Sequence, residues 1–187
     1  MTHSALMEAV IAPLVIETVD PMDLQALALL AEAAREARAL YPELFAPGSP
    51  PPTNTPLGER EVYLLAWREG VAVGCGALRR VDGQRGELRR FFVTPLARRE
   101  GVGRSLLARL EADALALGYR RLLLETGTRQ KPAAALYRAG GWRRIPPYGN
   151  FVGDPTSVCF GKTLRLAHGC RDAGPRSDEP TLAAVLL

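Results

Sequence analysis

The chain has 187 residues, 47% of them hydrophobic and 24% charged, which suits one soluble domain with a core large enough to stand without disulfides or metals. The charge is +4, from 24 basic and 20 acidic residues, and arginine supplies every base except Lys131 and Lys162. Three scattered cysteines (Cys75, Cys159, Cys170) and two near-terminal histidines (His3, His168) exclude a disulfide framework, a His-based triad and a His/Cys zinc site.

Residues 1–12 read as an N-terminal extension without the charged-then-apolar order of a leader. Residues 13–19, PLVIETV, predict a short strand. Asp20-Pro21 then offers an N-cap and an N1 proline for a helix over 21–40, with Leu24, Leu27, Ala31 and Ala34 at helical spacing. Residues 41–60 carry six prolines and read as a long ordered loop with room for one helical turn. Strands over 61–68 and 71–80 flank the turn Glu69-Gly70, and Asp82-Gly83 leads to a strand over 86–94. That makes three consecutive antiparallel strands.

The segment PLARREGVG leads into a helix at 103–117 with Leu106, Leu110 and Leu117 on one face and Gly118 just past its end. Residues 120–126 read as a buried strand, and a short helix follows Pro132 and stops near Gly140-Gly141. Residues 142–145 and 158–164 read as a last strand pair. The domain therefore runs over 13–165, with 166–187 as an appendage ending in the apolar TLAAVLL. No apolar run nears the roughly 20 residues of a membrane helix, and the cysteine usage points to a reducing cytoplasm.

The motif with most chemical content is Arg98-Arg99-Glu100-Gly101-Val102-Gly103-Arg104, between a strand and a helix. Helix N-termini present unpaired N–H groups and a partial positive charge. Two glycines let that backbone curl around an anion, so a pyrophosphate cradle and a plain tight turn are the two readings. A P-loop is excluded because no Lys-Ser/Thr follows Gly103. A dinucleotide fingerprint is excluded because the third glycine is missing.

Residues 86–126 and the later KPAAALYRAGGWRRI resemble motifs A and B of the GNAT superfamily of acetyl-CoA-dependent N-acetyltransferases. The resemblance implies an α/β (α+β) fold: a mixed, mostly antiparallel sheet of about six or seven strands flanked by helices. It implies that the main chain of Phe91, Phe92 and Val93 holds the pantetheine arm of acetyl-CoA. It also implies that the turn Arg98, Arg99, Glu100, Gly101, Val102, Gly103 and Arg104 holds the pyrophosphate. Gln130 stands where many members have a cofactor-touching asparagine. Tyr137 would be the general acid toward the departing sulfur.

Glu87 and Glu125 compete for general base on nearly equal terms, Glu87 slightly ahead; Glu87 shares a strand face with Arg89, Phe91 and Val93 in the predicted alternation. Glu125 ends an apolar run, which invites either a raised pKa or an arginine partner. Tyr148 and Phe151 would line the acceptor pocket. The implied reaction is direct transfer to a primary amine of a small molecule or peptide. Acylation of a protein amine, and a non-enzymatic acyl-CoA sensor, are the alternatives. The paired arginines fall mainly on strands, where neighbours face opposite ways, so no nucleic-acid-binding stripe forms. Many members are dimers, and TLAAVLL is a candidate contact.

Overall fold

The computed structural model describes residues 12–46 and 48–165. The N-terminal residues 1–11 and the appendage with TLAAVLL lie outside them. Seven strands make one sheet in the order β1-β2-β3-β4-β5-β7-β6. They are β1 (Val15–Thr18), β2 (Val62–Arg68), β3 (Val71–Arg80), β4 (Arg85–Val93), β5 (Arg121–Gly127), β6 (Arg143–Ile145) and β7 (Ser157–Thr163). Among the described residues only β4 and β5 run parallel. The sheet is mixed and mostly antiparallel, as the resemblance implies.

Helix α1 (Leu24–Leu40) crosses one face, while α2 (Val102–Ala116) and α3 (Lys131–Ala139) cover the other. The larger core cluster joins Leu88, Leu106, Leu110, Leu122, Leu124, Tyr137 and Phe160. The smaller one joins Ala26, Leu29, Tyr63, Leu65 and Phe92. Between β2 and β3, Glu69 and Gly70 both have positive φ (52° and 75°), the geometry of a two-residue hairpin whose twist matches its strands.

Two expectations about α1 change. Asp23, not Asp20, caps the helix, its side chain accepting from the Gln25 and Ala26 amides. Asp20 caps the preceding turn instead, accepting from the Met22 amide at 2.8 Å. The helix also buries Ala26, Leu29 and Leu30, while Leu24 is 80% exposed. A helix this rich in alanine and leucine has two apolar faces at helical spacing, and contact with the sheet chooses between them.

The proline-rich segment carries one 3-10 turn, Pro42–Leu44, and is then pinned to the protein by arginines. Arg38 donates to the Ser49 and Pro50 carbonyls, Arg79 to those of Thr55 and Pro56, and Arg90 to that of Thr53. Buried Asn54 donates to the Pro21 carbonyl at 2.9 Å and accepts from Arg90. Polyproline backbone lacks N–H donors, so its carbonyls need side-chain donors, and guanidinium groups supply several each. Part of the arginine content is thereby committed to holding this loop.

Candidate active site

The site begins where β4 leaves β5. The two strands pair from Arg85↔Arg121 to Leu88↔Leu124 and no further. Beyond Leu88, the edge of β4 that faces β5 has no strand partner among the described residues, although β4 continues to Val93 and β5 to Gly127. A bulge sits at the same place. Arg89 pairs with Ala77 and Phe92 with Cys75, leaving Arg90 and Phe91 opposite Gly76 alone. Arg90 has φ of 56°, and the Cys75 thiol donates to its carbonyl at 3.1 Å.

The bulge corrects the predicted alternation. An extra residue flips every later side chain to the other face. Leu88 lies in the larger core cluster, so Glu87 and Arg89 point to the α1 face. Phe91 and Val93 nevertheless pack on the larger cluster, and Phe92 lies in the smaller one. Glu87 thus does not share a face with Phe91 and Val93.

Helix α2 starts without a side-chain cap. Its N-cap is Gly101 at φ of 85°, its first turn holds no acidic residue, and the Ser105 amide bonds to the Gly101 carbonyl. The amides of Val102, Gly103 and Arg104 precede that bond and so have no intrahelical acceptor. Arg99 (φ 64°) and Gly101 bend the chain into a concave approach. The Arg99 and Arg104 side chains stand exposed beside it.

Two members of the turn are engaged elsewhere. Arg98 donates to the Val93 carbonyl at 3.0 Å and pairs with Glu36 of α1. Glu100 pairs with Arg68. Their side chains hold the turn in place rather than pointing into it. Val102 contributes only its amide, its side chain being in the core. A Cβ at Gly103 would meet Leu136 Cδ2 at 3.2 Å and Val93 Cγ2 at 3.7 Å. A side chain there would crowd the seam between α2, β4 and α3, not the anion-facing side.

Tyr137 of α3 is 4% exposed and packs among Phe91, Trp142 and Phe160, with ring centroids 5.9–6.2 Å away. Burial, then the Glu125 charge, raises its phenol well above the ordinary value. Gln130 occupies the position before α3 without a side-chain capping bond, and its side-chain oxygen accepts from the Thr126 hydroxyl at 2.8 Å. That oxygen is committed within the chain.

The two glutamates meet in one cleft of about 160 Å³, lined by Glu87, Leu88, Arg89, Arg90, Glu125 and Phe151. Glu87 pairs across with Leu123, two residues before Glu125, which puts both acids on the same sheet face. Glu87 accepts from the Tyr148 hydroxyl at 2.8 Å and lies 3.6 Å from Arg89. Tyr148 in turn packs edge-on against Phe151, centroids 5.4 Å apart. Burial raises the Glu125 pKa. The Ser157 hydroxyl opposes the rise, the Asp154 and Glu87 charges add to it, and Arg89 opposes it.

Among the described residues Glu125 has no cation at ion-pair distance, so the arginine partner considered for it is absent there. The sequence reading missed Ser157 as its partner. Cys159 pairs with Glu125 across β5 and β7, so Ser157 is the diagonal neighbour, within reach. That relation needs the register and has no local sequence signal.

A second contact missed from sequence closes the end of β5. Tyr41, just after α1, lies against Gly127 so closely that any Cβ there would overlap its ring and hydroxyl. Its hydroxyl accepts from the Arg129 amide at 2.6 Å, and the Arg129 guanidinium lies 4.9 Å over its ring. A larger hollow of about 450 Å³, lined by Gly127, Thr128, Lys131, Ala134, Arg138, Arg144 and Val158, has no carboxylate to accept a proton. Among the described residues no cluster could hold a metal ion, and no helix is long and apolar enough to cross a membrane.

Residues 26–141 match the Acetyltransferase (GNAT) family. The chain belongs to the GNAT family. An "IAA acetyltransferase" of Azospirillum brasilense is 45% identical over 103 residues, 54% of this chain and 67% of that protein. A crystal structure titled as a putative acyl-CoA N-acyltransferase of Klebsiella pneumoniae is 32% identical with a TM-score of 0.66, covering 81% of this chain and 98% of that one. A GNAT acetyltransferase from Elizabethkingia anophelis, whose crystal structure has acetyl-CoA bound, shares the fold at 19% identity and a TM-score of 0.56, over 81% and 98%. This GNAT protein is an acyltransferase enzyme.

Proposed function

We propose that the protein transfers an acetyl group from acetyl-CoA directly to a primary amine of a small molecule or peptide. The observation that carries this is the gap opened at Leu88 and Leu124, with Tyr137 on one face and Glu87 and Glu125 on the other. The uncapped start of α2, with glycine for its N-cap, fits a pyrophosphate at the amides from Arg99 to Arg104. The edge of β4 from Phe91 to Val93, which has no strand partner among the described residues and whose Val93 carbonyl is held by Arg98, fits the amide-bearing pantetheine arm as a substitute strand. Gln130 neighbours that arm with its amide nitrogen.

The reaction needs a neutral amine, a protonated leaving sulfur and charge stabilisation between them. Glu125 takes the proton from the ammonium group. Glu125 suits this better than Glu87, because burial raises its basicity and no cation is paired with it among the described residues. Glu87 holds Tyr148 in the acceptor wall with Phe151 and adds negative charge that attracts the ammonium form. The amine attacks the acetyl carbon, the C–N bond forms, the C–S bond breaks, the sulfur takes the Tyr137 proton, and the second proton shed by the nitrogen returns to the Tyr137 oxygen, so one proton is released in net. A phenol held protonated by burial is a donor at any physiological pH. Cys75 and Cys159 are both buried with raised pKa, which favours direct transfer over a thioester on the protein.

The test is CoA release with acetyl-CoA and a panel of primary amines, followed by initial rates with both substrates varied. Release with an amine and intersecting double-reciprocal lines are expected. Parallel lines would remove direct transfer. Acetyl-CoA binding with no turnover across the panel and across peptide amines would remove the primary amine as the acceptor.

A further inference from the structure

The Ser157 hydroxyl lies between two carboxylates: Glu125 Oε1 at 2.8 Å and Asp154 Oδ2 at 3.0 Å. A hydroxyl has one hydrogen, so it can donate to only one of them at a time. With both acids ionised, one of these short contacts has no proton in it. With Glu125 protonated, both contacts are filled: Glu125 donates to Ser157, and Ser157 donates to Asp154. The two acids also differ in setting. Glu125 lies in the cleft, whereas Asp154 stands outside it in the loop before β7, beside exposed Val152, Gly153 and Pro155, its other oxygen accepting from the Thr156 amide and hydroxyl, both at 2.7 Å.

We propose that Ser157 is a relay that carries the amine's proton from Glu125 to Asp154 and so to water. The proposal rests on Glu125 being the base. The proton balance is closed: the amine N–H bond breaks as a Glu125 O–H bond forms. Glu125 then passes that proton to Ser157 Oγ while the hydrogen already on Oγ moves to Asp154 Oδ2. Asp154 gives a proton to water and the hydroxyl rotates back. No group is oxidised or reduced. The other charged and titratable groups acting on Glu125 are Glu87 and Arg89 of β4, Tyr137 of α3, Tyr148 of the loop after β6, and Cys159 of β7. None of these groups is a hydrogen-bond partner of Glu125 among the described residues; Ser157 is.

The test compares Ser157→Ala, Ser157→Thr, Asp154→Asn and Glu125→Gln in steady-state assays with acetyl-CoA and an accepted amine. Ser157→Ala should lower kcat about tenfold at neutral pH with the KM for acetyl-CoA unchanged. A small buffer such as imidazole should restore much of that rate, because a diffusing base replaces a lost shuttle. Ser157→Thr keeps a hydroxyl and should keep most activity. Asp154→Asn should show the same buffer rescue as Ser157→Ala. A folded Ser157→Ala enzyme with wild-type kcat beside a slow Glu125→Gln overturns the relay and leaves the base in place. A fully active Glu125→Gln overturns both. A loss in Ser157→Ala that no buffer restores, with Ser157→Thr equally slow, makes Ser157 a structural residue and overturns the relay.

Discussion

The Tyr148 hydroxyl donates to Glu87 Oε1 across 2.8 Å, joining the loop after β6 to the strand that opens the cleft. Burial and this bond hold the Tyr148 phenol protonated, so Tyr148 acts as a fixed wall rather than as an acid. Its ring carries Phe151 edge-on. One hydrogen bond therefore positions both aromatic residues of the acceptor side. Tyr148→Phe should raise the acceptor KM about fivefold, what a lost hydrogen bond of ~1 kcal/mol gives. The KM for acetyl-CoA should not move. Initial-rate kinetics against each substrate separate the two.

Tyr137→Phe should lower kcat by about 10- to 100-fold, in the range of a lost general acid. Acetyl-CoA affinity and melting temperature should stay near wild type. The physical reason is that the ring supplies the packing against Phe91, Trp142 and Phe160, while no hydrogen bond contributes to the state of the hydroxyl. Calorimetric titration with acetyl-CoA beside turnover measurements checks this, and an unchanged kcat would make the tyrosine a packing residue.

Gly103→Ala tests the cradle through its lining. The added methyl would meet Leu136 Cδ2 at 3.2 Å and Val93 Cγ2 at 3.7 Å, so the Leu136 side chain must give way by a few tenths of an ångström. The methyl and the displaced Leu136 side chain narrow the seam in which the pantetheine arm is proposed to lie. The expected result is an acetyl-CoA affinity about tenfold weaker, an effect of ~1.4 kcal/mol, in a chain that still melts cooperatively. Wild-type affinity in the folded variant would place the cofactor elsewhere.

The pH dependence of stability has a defined direction at Glu125. Burial raises this carboxyl above its unfolded value. Its protonated form therefore favours folding, and that contribution is complete below the unfolded pKa. The contribution is lost as pH rises through the folded value, because ionising the buried group costs free energy. Glutamine carries no such cost and can still accept from Ser157. Glu125→Gln should thus melt about 2 °C or more above wild type at pH 8, with the difference closing in acid. A variant that melts lower than wild type at pH 8 would show that the charge is compensated.

Much of this protein was legible before folding. The order of strands and helices, the β2–β3 turn at Glu69-Gly70, the glycine turn before α2 and the tyrosine of α3 follow from local rules: hydrophobic period, turn residues and helix-end chemistry. These depend on neighbours in the chain. The tertiary structure decided what depends on neighbours across the sheet. The face α1 buries was one such choice, since its sequence offers two apolar faces and packing selects Ala26, Leu29 and Leu30. The bulge at Arg90 was another: it parts Glu87 from Phe91 and Val93, and no residue near it announces an extra residue in the register. Ser157 meets Glu125 only because β7 lies antiparallel to β5 with Cys159 opposite Glu125. Tyr41 reaches Gly127 across 86 positions of chain, and only a residue without a Cβ leaves room for it. Periodicity can say that a residue faces inward; only the pairing of distant strands says what it meets there.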